Sequence, residues 1–134
     1  MTGLPSLRAL DQLLGQRIWL AAEPADMRRG FDRLAEMARQ VTGEDPLSGH
    51  LFLFRSRRGD RLKILVWEGD GFVLWYKRLE TGTFRLPAVS AGQRSLELRA
   101  SELAMLLDGI DLRRLKRLPR YQKKVAAKAE KILA

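Results

Sequence analysis

Between residues 50 and 86 the chain reads His50-Leu51-Phe52-Leu53-Phe54, then Leu62-Lys63-Ile64-Leu65-Val66-Trp67, Phe72-Val73-Leu74-Trp75-Tyr76 and Thr83-Phe84-Arg85-Leu86. Turn clusters separate these apolar runs: Arg58-Gly59-Asp60, Glu68-Gly69-Asp70-Gly71 and Thr81-Gly82. Glycine supplies the positive φ that tight hairpin turns require. The gaps are too short for crossovers, so successive runs pair antiparallel. The expectation is a four-stranded meander. Its runs alternate poorly, and a sheet with one wet face would alternate cleanly. Both faces should therefore be covered.

Working outward from the meander, Arg17–Ala21 reads as a strand that Pro24 ends. Asp26 can cap a following helix whose apolar face is Met27, Phe31, Leu34, Ala38 and Val41, closed by Gly43. That helix suits one face of the sheet. The other face needs the terminal segments or a partner subunit. Gln93–Leu98 is a candidate further strand. Ser101–Leu107 reads as a short helix with Leu103, Leu106, Leu107 and Ile110 inward and Gly109 as its stop. Near the N-terminus, leucines at 4, 7, 10, 13 and 14 mark a short helix over residues 5–14. Beyond Gly109, Leu118, Tyr121, Val125, Ala129 and Ile132 repeat at helical spacing among basic residues, marking a basic helix that starts near Pro119. The fold class is α/β, of the α+β type. It comprises a four- to six-stranded, mainly antiparallel meander sheet with one packed helix, short terminal helices and a basic C-terminal helix.

Charge divides the chain at residue 112. Residues 1–112 hold sixteen bases and fifteen acids, whereas 113–134 hold nine bases and one acid, Glu130. The reading is a single domain over 1–112 with a basic amphipathic arm over 113–134. A basic arm on a balanced body seeks a polyanion, and nucleic acid is the commonest. The arm's apolar stripe is thin and lacks Trp and Phe, which argues against membrane insertion. No run of about 18 apolar residues exists to span a bilayer. Nor does the N-terminus show a basic region followed by an unbroken apolar run, so no signal peptide is expected. With no cysteine, disulfides and thiol chemistry are excluded, which fits a cytoplasmic setting, nucleoid-associated when bound to DNA.

Catalysis finds little footing. The single histidine, His50, has no thiol or second histidine beside it. It reads as a packing or edge residue. Phosphate-cradling glycine motifs are absent. Asp60, Glu68 and Asp70 form the densest carboxylate group, and a small magnesium-dependent nuclease built on them is one alternative. Asp in turns ordinarily bonds its own backbone. No cofactor is expected.

Cations stand out more. Arg28-Arg29 is placed at a helix start, where positive charge opposes the dipole unless an anion or a salt bridge to Asp26 or Asp32 compensates. Arg57 and Arg58 lie with Arg55 and Arg61 around a turn, and arginine forks match phosphate oxygens. Lys77 and Arg78 end a strand, as DNA contacts or as edge protection. In the arm the candidates are Arg113, Arg114, Lys116, Arg117, Arg120, Lys123, Lys124, Lys128 and Lys131.

Five stretches in order resemble a known family. They are Trp19 with Asp26-Met27-Arg28-Arg29-Gly30-Phe31-Asp32; Ser48 to Phe54; Lys63 to Phe72; Tyr76 to Phe84; and Leu106-Leu107-Asp108-Gly109-Ile110-Asp111. Together they look like the second-reading-frame accessory protein of insertion-sequence-sixty-six-type bacterial elements, over roughly residues 17–112. Two places depart from the family's pattern: Leu86 precedes Pro87 where Trp is common, and Arg99-Ala100-Ser101 replaces a Thr-Pro or Ser-Pro helix opening. The resemblance implies a non-catalytic role in DNA transposition beside a separate transposase and a second small accessory protein. The partners to expect are therefore DNA, those two proteins and a second copy of the chain, with no membrane. The alternative is a protein–protein module that never touches DNA.

Overall fold

A computed structural model describes residues 15–112. The arm and the N-terminal helix expected from sequence lie outside the described residues. Five strands, β1 (Ile18–Ala21), β2 (Leu51–Arg55), β3 (Arg61–Trp67), β4 (Phe72–Arg78) and β5 (Ser95–Leu98), form one sheet in the order β4-β3-β2-β1-β5. Two helices accompany them, α1 (Phe31–Thr42) and α2 (Ala100–Leu107). The class is α+β, as the sequence predicts.

β2, β3 and β4 form the antiparallel meander, with Phe52 opposite Leu65 and Ile64 opposite Trp75. Thr83–Leu86 does not supply a fourth meander strand. After β4 the chain folds around the end of the sheet: the Leu79 N–H donates to Asp60 O at 2.8 Å and the Phe84 N–H to Gly59 O at 2.8 Å. Phe84 drops into the core instead. β1 runs parallel to β2, joined through α1, and β5 closes the far edge antiparallel to β1.

β2 and β3 fail to alternate because both sheet faces are packed there; at β4 the expected cover is missing, and Val73, Trp75 and Tyr76 stay exposed because the strand lies at the sheet edge. Along β2, Leu51 and Leu53 enter one cluster while Phe52 and Phe54 enter the other. The first cluster joins Ile18, Leu20, Leu62 and Ile64 to Leu103 and Leu106 of α2, with Phe84 and Leu112. The second joins Ala21 and Leu65 to Leu34, Ala35, Met37 and Ala38 of α1. Leu34 is wholly buried, so its side chain contributes about 2 kcal/mol of transfer free energy.

Both helix boundaries have local causes. α1 starts at Phe31, four residues later than Met27. Asp26 does not cap it: its carboxylate accepts the Arg28 N–H at 2.9 Å, while its carbonyl accepts the Arg29 N–H at 3.0 Å. This closes a separate turn, and Gly30 in an extended conformation is the cap. Gly43, at φ 71°, ends α1. At α2, Glu102 reaches back to accept the Arg99 N–H at 3.0 Å, which supplies a cap without Ser or Thr. Gly109 and Ile110 donate to Leu106 O and Met105 O, the bonding pattern of a Schellman end. Ile110, expected inward, is 43% exposed, because this turn carries it past the core.

Candidate nucleic-acid interface

Hairpin parity sorts the charges. β1 and β2 end, β3 begins and β4 ends on one side of the sheet. The segments after β1 and β2 and the last residues of β4 therefore converge. They bring Arg28, Arg29, Arg57, Arg58, Lys77 and Arg78 together, with Arg61 among them. All six core cations singled out from sequence thus share one end. The acids at this end include Asp26, Asp32, Asp60, Glu80 and Glu23. Around the opposite end stand Glu44, Asp45, Glu68, Asp70, Glu97 and Glu102 against Arg17 and Arg99. A body with near-balanced charge is thereby polarised along its strands.

Each cation is held differently. Ser56 locks the β2–β3 turn: its hydroxyl donates to Asp60 Oδ1 at 3.1 Å and accepts the Arg61 N–H at 3.1 Å. The Gly59 N–H donates to Ser56 O at 3.0 Å, with Gly59 at φ 78°. Arg57 and Arg58 protrude, exposed, from this tied turn. Arg55 turns inward and donates to Ala22 O at 3.0 Å, stitching the β1 loop to β2. An open cleft of about 450 Å³ lies between the two loops, lined by Asp26, Arg28, Arg57, Arg58, Asp60 and Arg61 among others.

Arg28 forms the salt bridge anticipated as its alternative to an anion, with Nη2 at 2.7 Å from Asp26 Oδ2. The Arg28 side chain, then its backbone N–H, hold the Asp26 carboxyl well below the usual carboxylate range. Being exposed, the pair adds little stability. Arg28 still offers unpaired donor edges, since its side chain is 91% exposed.

Arg61 and Arg78 stand directly opposite each other on β3 and β4. Like charges so placed are destabilising. Arg61 Nη1 donates to Tyr76 Oη at 3.3 Å, and Arg78 pairs with Glu80 at 3.2 Å.

One residue of this region went unnoticed in the sequence. Lys63 lies mid-strand in β3 and is 6% exposed. Its ammonium donates to Met27 O at 2.7 Å and Arg29 O at 2.9 Å, and lies 4.6 Å from the centre of the Tyr76 ring. It clips the Arg28-Arg29 loop to the sheet. A lysine inside an otherwise apolar strand was the available signal.

The proposed carboxylate trio does not assemble. Asp60 lies at the β2–β3 turn and Glu68 and Asp70 at the β3–β4 turn, with the seven residues of β3 between them, about 20 Å. Among the described residues no group of three His, Asp or Glu side chains is placed to hold a metal ion. His50 sits at the start of β2, where Nδ1 accepts the Arg17 N–H at 3.0 Å. Arg17 also pairs with Glu97 and Glu44 and stacks 4.7 Å from the Trp19 ring centre. Trp19 Nε1 is the one buried side-chain polar atom among the described residues without a partner, and nothing in the structure explains it. No helix among the described residues is long and apolar enough to cross a membrane.

Comparison with known proteins gives a consistent picture. The family model for IS66 Orf2-like proteins matches residues 16–117. Two similar proteins come from Sinorhizobium fredii strain NGR234. One, uncharacterized protein y4jC, is 39% identical over 105 residues, covering 78% of this chain and 88% of its own. The other, uncharacterized protein y4hO, is 40% identical over 97 residues, covering 72% and 83%. No solved structure matches the chain.

Proposed function

Since the chain belongs to the IS66 Orf2-like family, accessory proteins of insertion-sequence transposition, we propose that it grips the DNA backbone with the basic end of its sheet. The observation carrying this reading is the convergence of Arg28, Arg29, Arg57, Arg58, Arg61, Lys77 and Arg78, with Arg61 and Arg78 held face to face. Separate chain segments deliver these cations, and phosphate would add to the partial compensation that Glu80 gives Arg78 and Asp26 gives Arg28. The contact is to the DNA backbone, because guanidinium forks match phosphate oxygens. The arm, residues 113–134, adds nonspecific affinity as a tether. The transposase carries the chemistry, and this protein assists it on DNA.

Salt titration of duplex binding by fluorescence anisotropy tests the reading. With about five phosphates engaged, the log–log slope is near −4 to −5. Arg57→Ala combined with Arg58→Ala removes about two units of that slope if both contact phosphate. Removing 113–134 weakens binding but leaves the effect of the double variant. A flat response between about 50 and about 200 mM salt refutes DNA contact. An unchanged slope in the double variant moves the contact away from the sheet end.

A further inference from the structure

β4 is an edge strand of seven residues, paired only with β3 among the described residues. It carries neither proline nor glycine. Half of the six exposed large apolar side chains among the described residues lie on it: Val73, Trp75 and Tyr76, at 41%, 39% and 47%. The other edge strand, β5, has four residues and none of these. Long apolar edges are templates for another strand, and proteins normally blunt them. Here Lys77 and Arg78 blunt one end only.

The charges bordering the strand select the occupant. Glu68 and Asp70 precede it, and Lys77 and Arg78 finish it. A strand acidic before and basic after is complementary to itself run in reverse. We propose that β4 pairs edge to edge and antiparallel with β4 of a second copy, Leu74 facing Leu74. Phe72 then faces Tyr76 and Val73 faces Trp75, while Lys77 and Arg78 run on beside the turn of the second copy that carries Glu68 and Asp70. Every such pair shares a sheet face, as antiparallel pairing demands. The other centred register, Trp75 on Trp75, sets Phe72 against Arg78 and Val73 against Lys77. Parallel pairing stacks Arg78 on Arg78 and Asp70 on Asp70. Only the Leu74 register matches both charge and apolar surface. The two five-stranded sheets become one of ten. The pairing stands whether or not the basic ends hold DNA.

Sedimentation velocity of the full chain tests this over about 1 µM to about 1 mM. The expected result is a reversible dimer whose dissociation constant rises about tenfold or more in Trp75→Lys. Asp70→Arg and Arg78→Asp each weaken it, and the two together restore it to within about threefold of the original. Circular dichroism checks that each variant is folded; the charge variants sit at exposed positions and keep the test decisive if Trp75→Lys unfolds. A monomer over the whole range overturns the proposal and leaves the edge to a foreign strand. So does a dimer indifferent to Trp75→Lys, or a charge swap without recovery.

Discussion

Lys63→Met isolates the clip beneath the basic loop. Methionine keeps the buried stem and removes the ammonium. Two charge-assisted hydrogen bonds, to Met27 O and Arg29 O, are lost at about 1.5–3 kcal/mol each, with about 0.5–1 kcal/mol for the Tyr76 ring contact. Against this stands the several kcal/mol of desolvation that the buried ammonium no longer costs. The net expectation is a loss of about 2 kcal/mol, or about 6–10 °C in Tm. Urea unfolding with an unchanged m-value reads the stability. Hydrogen exchange at Arg29 and Gly30 reads the loop, and should quicken more than exchange in β2. DNA affinity should fall while the salt slope stays constant, because Lys63 positions cations and touches no phosphate itself. Stability within about 0.5 kcal/mol of the original, with loop exchange unaltered, would refute the clip: water would then replace the ammonium without penalty.

Two further outcomes follow from local geometry. Gly59→Ala and Gly69→Ala both force alanine into the left-handed region, at φ 78° and 92°, and each should cost about 1–2 kcal/mol in urea unfolding. Only Gly59→Ala should also weaken DNA binding, because its turn presents Arg57 and Arg58; equal binding by the two variants would remove that link. Asp26, whose carboxyl Arg28 holds below the usual range, should stay ionised as ordinary carboxylates protonate. A folded pKa below the unfolded one means the turn is stabilised above about pH 4 and loses that contribution only as pH falls through the depressed value. Carbon-detected NMR titration gives the midpoint, and a value near 3.9 would show the Arg28 contact to be absent in solution.

What could be read from the chain was local. Gly59 and Gly69 mark the hairpins because each takes a positive φ, and the two-sided apolar runs mark β2 and β3 as covered on both faces, though the same pattern in β4 goes with exposed Val73, Trp75 and Tyr76. α1 starts later than the apolar spacing predicts, because Asp26 satisfies the turn before the helix instead of the helix itself. Thr83–Leu86 looked like a strand because Phe84 is apolar for the core, yet its backbone bonds the β2–β3 turn. The parallel pairing of β1 with β2 and the docking of β5 on β1 rest on residues far apart in the chain, which no local pattern encodes. The basic residues were each visible singly. Their meeting was not, although the direction of the meander already sends the Arg57-Arg58 turn and the end of β4 to one side and Glu68-Asp70 to the other.

That sorting of charge governs how the folded body approaches a polyanion. Residues 15–112 carry fifteen bases and fourteen acids, so distance offers almost no net pull on them. A separated pair of charge ends instead feels a torque, which turns the strands to point basic end first. Attraction of this kind fades faster with distance than that of a net charge and acts only near the surface. Within about a Debye length of a polyanion, some 8 Å at physiological salt, a lone body is turned basic end first; in the antiparallel pair proposed above the two bodies point opposite ways, so their torques cancel and each end of the pair keeps one basic patch.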